Sequence, residues 1–309
     1  MQTTIKHRKQ FPFHIIVFLL PAVIIYSLFM VLPLVDSLRL SFFDQNGPEP
    51  IFVGLHNFQT LFTHELWAPR FWHALSNNFV FFSIHLFVQN PVALLLATLL
   101  TAKTLRGSSI YRTLIFTPTT LSVVIVGFIW SLILNPTWGI FNDFLKSIGL
   151  GGAIKPWLGS EQTALIAISL ISVWQWVGLP MILFMSALIS VPHELIEASQ
   201  VDGATAWDIF WSVKFPLILP TVGIVSILTF VGNFNAFDLI YTTQGPQAAP
   251  GGATDIMGTL FYRTYFGVQL QPGNPTMGTT IAAMTFLVIL AGVLLYLFGW
   301  QRRLVKVNY

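Results

Sequence analysis

The spacing of charged residues limits the fold of this chain more than any other feature. Asp, Glu, Lys and Arg are absent from six stretches of more than twenty residues, namely 10–35, 72–102, 113–142, 162–193, 215–237 and 264–301. A helix rises about 1.5 Å per residue and needs about 20 apolar residues to cross the hydrocarbon core of a bilayer. Each stretch is therefore long enough for one crossing and too short for two.

The composition also indicates a membrane protein. Only 9% of the 309 residues are charged and 54% are hydrophobic, whereas a soluble domain carries about 25% charged residues. The chain has no cysteine, which excludes disulfides, thiolate metal ligands and cysteine catalysis. Its seven histidines include no pair four residues apart, so no metal site is predicted. A net charge of +3 is too small to indicate nucleic-acid binding.

We predict that the spans are helices, because continuous apolar runs such as 92–100 and 286–298 lack the alternation of barrel strands. The expected fold is an all-α integral membrane protein, with residues 1–309 as a single transmembrane domain. The six expected spans are 13–35, 74–101, 113–135, 164–190, 217–240 and 280–300. The first is longer than the apolar core of a signal peptide, so we expect it to be retained.

The basic residues predict the orientation of these spans. Six crossings place both termini on one side, and a cytoplasmic N-terminus gives ten basic residues inside and five outside. The inner set is Lys6, Arg8, Lys9, Lys103, Arg106, Arg112, Lys214, Arg302, Arg303 and Lys306, and the outer set is Arg39, Arg70, Lys146, Lys155 and Arg263. The positive-inside rule then predicts that both termini are cytoplasmic.

The segment 191–216, between the fourth and fifth predicted spans, has an unusual charge for a cytoplasmic loop. One basic residue, Lys214, stands against four acidic ones, which are Glu194, Glu197, Asp202 and Asp208. Acidic residues contribute little to topology, so the predicted location stands. The residues alone leave two interpretations equally open: a surface for a protein partner, or a loop that lies on the lipid headgroups.

Local chemistry predicts two helices in this segment. Pro192 fits the first turn of a helix, and acidic side chains are favoured near that positive end. Leu195, Ala198 and Ser199 then form a small, mostly apolar face. Gly203 permits a positive φ and a sharp turn, after which 204–214 has a helical pattern again. We expect a short helix, a glycine turn and a second short helix that returns to the membrane.

The same residues resemble the EAA loop of bacterial ABC importer permeases. The matching elements are Glu197-Ala198-Ser199, Asp202-Gly203-Ala204 and Phe215-Pro216-Leu217 with Pro220. Further matches to the carbohydrate-type subfamily follow in order along the chain, at 52–58 (FVGLHNF), 111–113 with Pro118, 135–139 and 237–241 with 245–246. Two residues depart from the pattern: Ser199 replaces the second Ala, and Phe215 stands where Leu is usual. The sequence resembles the shorter, six-span form of this subunit rather than the maltose-type member, which has extra N-terminal spans and a large outer domain.

The resemblance implies the type I ABC importer permease fold and a matching function. The chain would be a transmembrane subunit of an ATP-driven importer in the bacterial or archaeal cytoplasmic membrane. It would pass a sugar or similar polyhydroxylated solute by alternating access. The implied partners are a second homologous permease, two cytoplasmic ABC ATPase subunits, an extracytoplasmic solute-binding protein and membrane lipid, and no nucleic acid.

The resemblance assigns ATP hydrolysis to those separate ATPase subunits. The sequence has no G-x-x-x-x-G-K-[ST] phosphate-binding loop. We therefore expect that this chain is not an enzyme and binds no cofactor, and that ATP and Mg²⁺ are held by the partners. The implied contact with an ATPase subunit is a coupling helix made by Glu194, Glu197, Ala198, Ser199, Asp202, Gly203 and Ala204.

Polar side chains in the fourth and fifth spans are the candidates for the solute path. They are Ser172, Gln175, Trp176, Thr229, Asn233 and Asn235. Ser172 and Trp176 are four residues apart and share a helix face, as do Thr229 and Asn233. Amides, hydroxyls and an aromatic ring suit a sugar, and by distance from Glu197 these positions correspond to the sugar site of the maltose-type permease. The alternative is hydrogen bonding between helices.

A second class of protein, an ion-coupled secondary carrier or channel, remains as an alternative. That class typically needs an intramembrane carboxylate or paired half-repeats, and the six spans have no acid in their interiors. His85 in the second span could relay a proton, but without a carboxylate in that span we expect packing. The spans also lack Arg and Lys, which favours a neutral sugar, although the residues leave its identity open.

Overall fold

The computed structural model describes residues 13–102, 105–268 and 271–302. Six basic residues used to predict the orientation lie outside them, namely Lys6, Arg8, Lys9, Lys103, Arg303 and Lys306. The helices are α1 (Phe13–Tyr26, Ser27–Val31 and Leu32–Leu40), α2 (His56–Thr63), α3 (Trp67–Ile84, His85–Gln89 and Asn90–Leu100), α4 (Ser108–Phe116 and Thr117–Thr120), α5 (Val123–Ile133), α6 (Ile140–Ser147), α7 (Ala164–Trp176), α8 (Gly178–Ile189), α9 (His193–Val201), α10 (Ala206–Ile209, Phe210–Lys214 and Phe215–Phe234), α11 (Asp238–Gln244), α12 (Met257–Phe266) and α13 (Pro275–Leu295 and Tyr296–Gln301). A short 3₁₀ turn covers Gly151–Ala153, and the strands β1 (Phe43–Asp44) and β2 (Ile51–Phe52) pair antiparallel.

Four of these helices, α1, α3, α10 and α13, are long and apolar enough to cross a membrane. Two bent pairs, α4 with α5 and α7 with α8, raise the number to six if each pair is one span. The bends measure 100° and 46° respectively. The third apolar stretch is therefore not one straight helix: Leu121 and Ser122 have extended backbones and separate its two halves.

Three helices contain a π-helical turn at a similar place relative to a proline. The turns Ser27–Val31, His85–Gln89 and Phe210–Lys214 end two residues before Pro33, Pro91 and Pro216. A proline has no N–H to donate, and its ring crowds the carbonyl four residues earlier. A π-helical turn has a wider hydrogen-bond pattern, which lets each helix continue past its proline.

The fifth span differs from the expected one at both ends. The helix α10 is continuous from Ala206 to Phe234, so the second helix of the segment 191–216 and the span form a single element. Because of the π-helical turn before it, Pro216 does not interrupt this helix. The helix ends at Phe234, six residues before the expected limit, and α11 begins at Asp238.

The helix α3 lies at the centre of the packing. Its last turns pack with α8 and α10 through Ala93 and Ala97. Phe81, in its middle, packs with α5, α7 and α11. Its first turns pack with α2, α12 and α13 through Phe71 and Ala74. In contrast, the apolar side chains of α1 from Val17 onward are mostly exposed, as lipid or a partner helix requires. Because α3 contacts every other part of the core, it is well placed to form the wall of a site.

Candidate functional site

A cavity of about 360 Å³ lies between α3, α7, α8, α10 and the residues that follow α10. Most of its wall is apolar. The polar and charged residues on the wall are His85, Gln89, Ser172, Thr229, Asn233, Asn235 and Asp238. Aromatic rings come from Phe81, Trp176 and Phe237. An apolar cavity with a few convergent polar groups is the usual form of a small-molecule site.

Five of the six residues predicted for the solute path line this cavity: Ser172, Trp176, Thr229, Asn233 and Asn235. The sixth, Gln175, does not. Its side chain is fully buried, and its amide nitrogen donates to the carbonyl oxygen of Leu121 at 3.2 Å. Neighbours on a helix point about 100° apart, so Trp176 reaches the cavity while Gln175 supports the break between α4 and α5.

The polar residues of α10 also bond to α3. The Asn90 amide nitrogen donates to the Thr229 hydroxyl oxygen at 3.2 Å, and that hydroxyl donates to the carbonyl oxygen of Val225 at 2.8 Å. The Asn233 amide nitrogen donates to the carbonyl oxygen of Thr229 at 2.6 Å. The backbone carbonyl oxygen of Asn233 accepts from the Asn78 side chain of α3 at 3.0 Å. The Thr229 side chain therefore joins two helices and lines the cavity at once, whereas Asn233 lines the cavity with its side chain and is joined to α3 through its backbone. The geometry thus combines the two interpretations that the sequence left open.

Two residues of α3 that were not predicted for the solute path, His85 and Gln89, also line the cavity. The His85 ring contacts the carbonyl oxygen of Phe81 through Nδ1 at 2.8 Å and the Ser172 hydroxyl through Nε2 at 3.0 Å. One turn later Gln89 lines the same cavity. The signal was present in the sequence, because residues four apart share a helix face.

The cavity wall favours a solute without negative charge. No Lys or Arg lines the cavity among the described residues, and Asp238 contributes one carboxylate. A phosphate or carboxylate on the solute would therefore meet a negative group and no positive one. The described residues also contain no group of three or more His, Cys, Asp or Glu that could hold a metal ion.

The second region of interest is the segment between α8 and α10. Here α9 begins at His193, so Pro192, which was expected in the first turn, instead lies at the N-cap position just before the helix. Gly203 follows with a φ of +82°, and the next helix begins at Ala206 rather than at residue 204. The start of that helix is capped reciprocally: the backbone N–H of Thr205 donates to the Asp208 carboxylate at 3.0 Å, and the N–H of Asp208 donates to the Thr205 hydroxyl at 3.3 Å.

The seven residues predicted to contact an ATPase subunit are accessible. Glu194, Glu197, Ala198, Asp202 and Gly203 are exposed, and Ser199 and Ala204 are half-buried. The segment is held from beneath by Ile196, which packs on the core next to α8, and by the buried Ile209. Apolar side chains also reach the surface, with Val201 88% and Trp207 69% exposed. Exposed apolar groups beside acidic ones are typical of a surface that a partner covers.

Multiple helices of membrane-spanning length, a mostly apolar cavity with convergent polar groups among them and an exposed connecting helix define a multi-pass membrane transport subunit. The chain belongs to the family described as binding-protein-dependent transport system inner membrane component, which it matches over residues 89–305. It is therefore a permease subunit of the ABC importer type. Membership confirms the resemblance and the membrane location inferred from the sequence, and it does not favour the carrier or channel alternative.

Individual relatives agree with this assignment. The chain is 31% identical to the probable ABC transporter permease protein YurN of Bacillus subtilis, over 87% of this chain and 90% of that protein. It is 30% identical to the probable starch degradation products transport system permease protein AmyD of Thermoanaerobacterium thermosulfurigenes, over 94% of each chain. Among solved structures, it resembles a bacterial ABC transporter involved in the import of the acidic polysaccharide alginate. The TM-score is 0.77 and the identity is 25%, and the match covers 94% of this chain and 96% of the other. The type I importer permease fold is thereby confirmed.

Proposed function

We propose that this permease passes a neutral carbohydrate, delivered by an extracytoplasmic binding protein, across the cytoplasmic membrane. The observation that carries the proposal is the cavity wall, where hydroxyls, amides and Trp176 meet with no Lys or Arg among the described residues. AmyD is named for starch degradation products, and the transporter of similar structure imports alginate, so both relatives handle carbohydrates. The wall chemistry favours a neutral sugar over an acidic one.

The proposed assembly contains a second homologous permease, two cytoplasmic ABC ATPase subunits and the binding protein. The family description names the dependence on a binding protein, and this sequence has no phosphate-binding loop. ATP and Mg²⁺ would therefore be held by the ATPase subunits, and this chain would bind no cofactor. The chain would be one transmembrane domain with six spans, each bent pair being one span, and both termini in the cytoplasm.

The continuity of α10 supports a mechanism of coupling. The coupling helix α9 and the turn at Gly203 would sit on an ATPase subunit. After this turn, α10 continues without a break from Ala206 to Thr229, over about 35 Å at about 1.5 Å per residue. A movement of α9 imposed by the closing ATPases would therefore reach Thr229 and Asn233 on the cavity wall through one rigid element. Alternating access then follows from the tilt of this helix against α3.

The test is ATP hydrolysis by the co-purified complex in nanodiscs. The panel contains maltose, trehalose, lactose and raffinose as neutral sugars, with glycerol 3-phosphate and an alginate oligosaccharide as anionic ones, each with and without binding protein. Stimulation that needs both the binding protein and one neutral sugar supports the proposal. A response to anionic solutes alone would overturn the neutral specificity. Transport by the isolated chain along an ion gradient without ATP would overturn the importer function itself.

A further inference from the structure

The π-helical turn of α3, His85–Gln89, presents two polar side chains to the cavity. We infer that this turn forms part of the solute site, where Gln89 accepts a hydrogen bond from a carbohydrate hydroxyl and His85 positions Ser172 to accept another. The inference rests on the proposed function and adds a helix that the fourth and fifth spans alone would not supply.

Gln89 carries a hydrogen-bonding atom that the protein leaves unused. Its side chain is 4% exposed, it lines the cavity, and its Oε1 has no hydrogen-bond partner among the described residues. A buried carbonyl oxygen without a partner is unfavourable, so native structures contain few of them. Oε1 is enclosed by protein in the structure, so a rotation of the Gln89 amide towards the cavity would let a sugar hydroxyl supply the missing donor.

The local backbone accounts for the presence of such a residue here. Pro91 follows the π-helical turn by two residues, and the turn relieves the crowding that the proline would otherwise cause. Single π-helical turns inside α-helices are frequently found at functional sites. In this protein the turn places His85 and Gln89 on the cavity while Asn90 bonds to Thr229 on α10.

His85 determines which way the Ser172 hydroxyl points. The Phe81 carbonyl can only accept, so in a neutral ring the His85 Nδ1–H donates to it and Nε2 is left as an acceptor. Ser172 then donates its hydroxyl hydrogen to Nε2 at 3.0 Å. The lone pairs of the Ser172 oxygen remain available to a solute.

The wall therefore presents free acceptors beside the amide donors of Gln89, Asn233 and Asn235. The Thr229 hydroxyl also donates to the protein, at the carbonyl oxygen of Val225, and Gln89 adds a free carbonyl oxygen. A carbohydrate carries a hydroxyl donor on nearly every ring carbon and matches such a wall. A phosphate or carboxylate accepts hydrogen bonds but does not donate them, so it would leave the acceptors of Gln89 and Ser172 without a donor.

The experiment compares Gln89→Met with Gln175→Met in the complete complex. Gln175 is the control for solute preference, because it is also buried with an unpartnered Oε1 but does not line the cavity; its amide nitrogen bonds to Leu121, so the two variants are compared by preference and not by stability. The probe is the neutral sugar of the panel above that most stimulates the wild-type complex, with its monodeoxy analogues. Uptake is measured with a saturating amount of sugar-loaded binding protein, so that the affinity of the binding protein for each sugar does not affect the measured rate.

We expect the wild-type complex to transport one deoxy analogue more slowly than the parent sugar. Gln89→Met should slow uptake of the parent sugar by about two- to tenfold, which is the effect of one neutral hydrogen bond. It should also abolish the difference in uptake rate between the parent sugar and that analogue. Its melting temperature should not fall, since an unpaired buried acceptor is removed. Gln175→Met should keep the wild-type preference among analogues.

The role of His85 is tested by a double variant. Because His85 is inferred to act through Ser172, the double variant His85→Phe/Ser172→Ala should lose no more of the preference for the parent sugar over its deoxy analogues than Ser172→Ala alone.

Two results would overturn the inference while the proposed function stands. One is a Gln89→Met complex that keeps the wild-type preference. The other is an equal slowing for every analogue with a lower melting temperature, which indicates a structural role. A wild-type complex that transports no neutral sugar would overturn the proposed function first and the inference with it.

Discussion

Asp255 and Arg263 form an ion pair in which Nη2 and Oδ2 are 2.5 Å apart, with side chains only 5% and 14% exposed. A second guanidinium nitrogen and the Thr259 hydroxyl donate to the other carboxylate oxygen, at 3.3 and 2.7 Å. The pair fixes the residues that precede α12 to its last turn, and the Asn77 side chain of α3 donates to the Asp255 backbone carbonyl oxygen at 2.8 Å. The ion pair thus supports the segment that Asn77 joins to the central helix.

Replacing Arg263 by Met should strongly destabilise the protein. The change leaves a buried carboxylate without its partner, which typically costs about 3–5 kcal/mol. We expect a clear fall in melting temperature in detergent. The double variant Asp255→Leu/Arg263→Met should recover part of the loss, because no charge is then left buried.

The control for this prediction is Lys146→Met. Lys146 pairs with Asp143 at 3.2 Å, but both side chains are more than half exposed, and exposed pairs contribute about 0–1 kcal/mol. The melting temperature of Lys146→Met should stay close to that of the wild type. Equal effects of the two single variants would contradict the structural role of the Asp255–Arg263 pair.

Gly203→Val should uncouple ATP hydrolysis from transport. At a φ of +82° a side chain is strained, by about 1–2 kcal/mol, and the strain would distort the turn between α9 and α10. We expect the complex to assemble and to hydrolyse ATP, while sugar uptake per ATP falls severalfold. The measurement is uptake and hydrolysis on the same proteoliposomes.

Gly149→Val provides a matched control. Gly149 has a φ of +78°, and a Cβ at either glycine meets no atom within 4 Å. Both substitutions therefore carry the same backbone strain without a steric clash, but Gly149 lies in a segment proposed to face the outside. If both variants lose coupling equally, the strain itself is responsible and the coupling role of Gly203 is wrong.

Glu197→Lys should weaken the association with the ATPase subunits. Glu197 is exposed on α9, so reversing its charge leaves the fold intact but alters the proposed docking surface. We expect less ATPase to co-purify and a proportional loss of uptake, with an unchanged melting temperature of the permease. Glu65→Lys, at an exposed residue before α3, should have neither effect. An undiminished yield of ATPase with Glu197→Lys would contradict the prediction.

The sequence is informative wherever a structural property depends on local chemistry. The apolar stretches predict which segments form long helices, and Gly203 predicts its own turn because few other residues accept a positive φ. The distance of four residues between Ser172 and Trp176 also places both on the cavity wall. Each of these inferences needs only a helix period or the conformational limits of one residue.

Other features depend on the packing of distant segments and were missed. The 100° bend between α4 and α5 follows the segment 117–120 (TPTT), whose proline indicates an irregular place in the span but not the size of the bend. Gln175 and Trp176 look equally suitable for a solute, and only the position of α4 separates them. The role of Gln89 depends on a π-helical turn, which the sequence indicates only indirectly through Pro91.

Asp44, in the hairpin that follows α1, predicts a pH dependence of stability. Its Oδ1 accepts from the Asn46 backbone N–H at 3.0 Å, from the Asn46 side chain at 2.8 Å and from the Thr276 hydroxyl at 3.0 Å. The backbone hydrogen bond from Asn46 is the main reason why the pKa of Asp44 lies below its ordinary value, and partial burial opposes this shift. The carboxylate thus ties the hairpin to the start of α13.

A carboxyl whose pKa is lower in the folded than in the unfolded state stabilises the protein above its unfolded pKa, which is about 3.9 for Asp. This contribution is lost as the pH falls through the folded pKa. Asp44→Asn should therefore melt below the wild type at pH 7, and the two melting curves should converge as the pH falls below about 4. Glu49→Gln, at an exposed carboxyl of the same hairpin, is the control and should follow the wild type. A constant difference between Asp44→Asn and wild type across this range would contradict the assignment, because it would show that the ionised carboxylate is not the stabilising form.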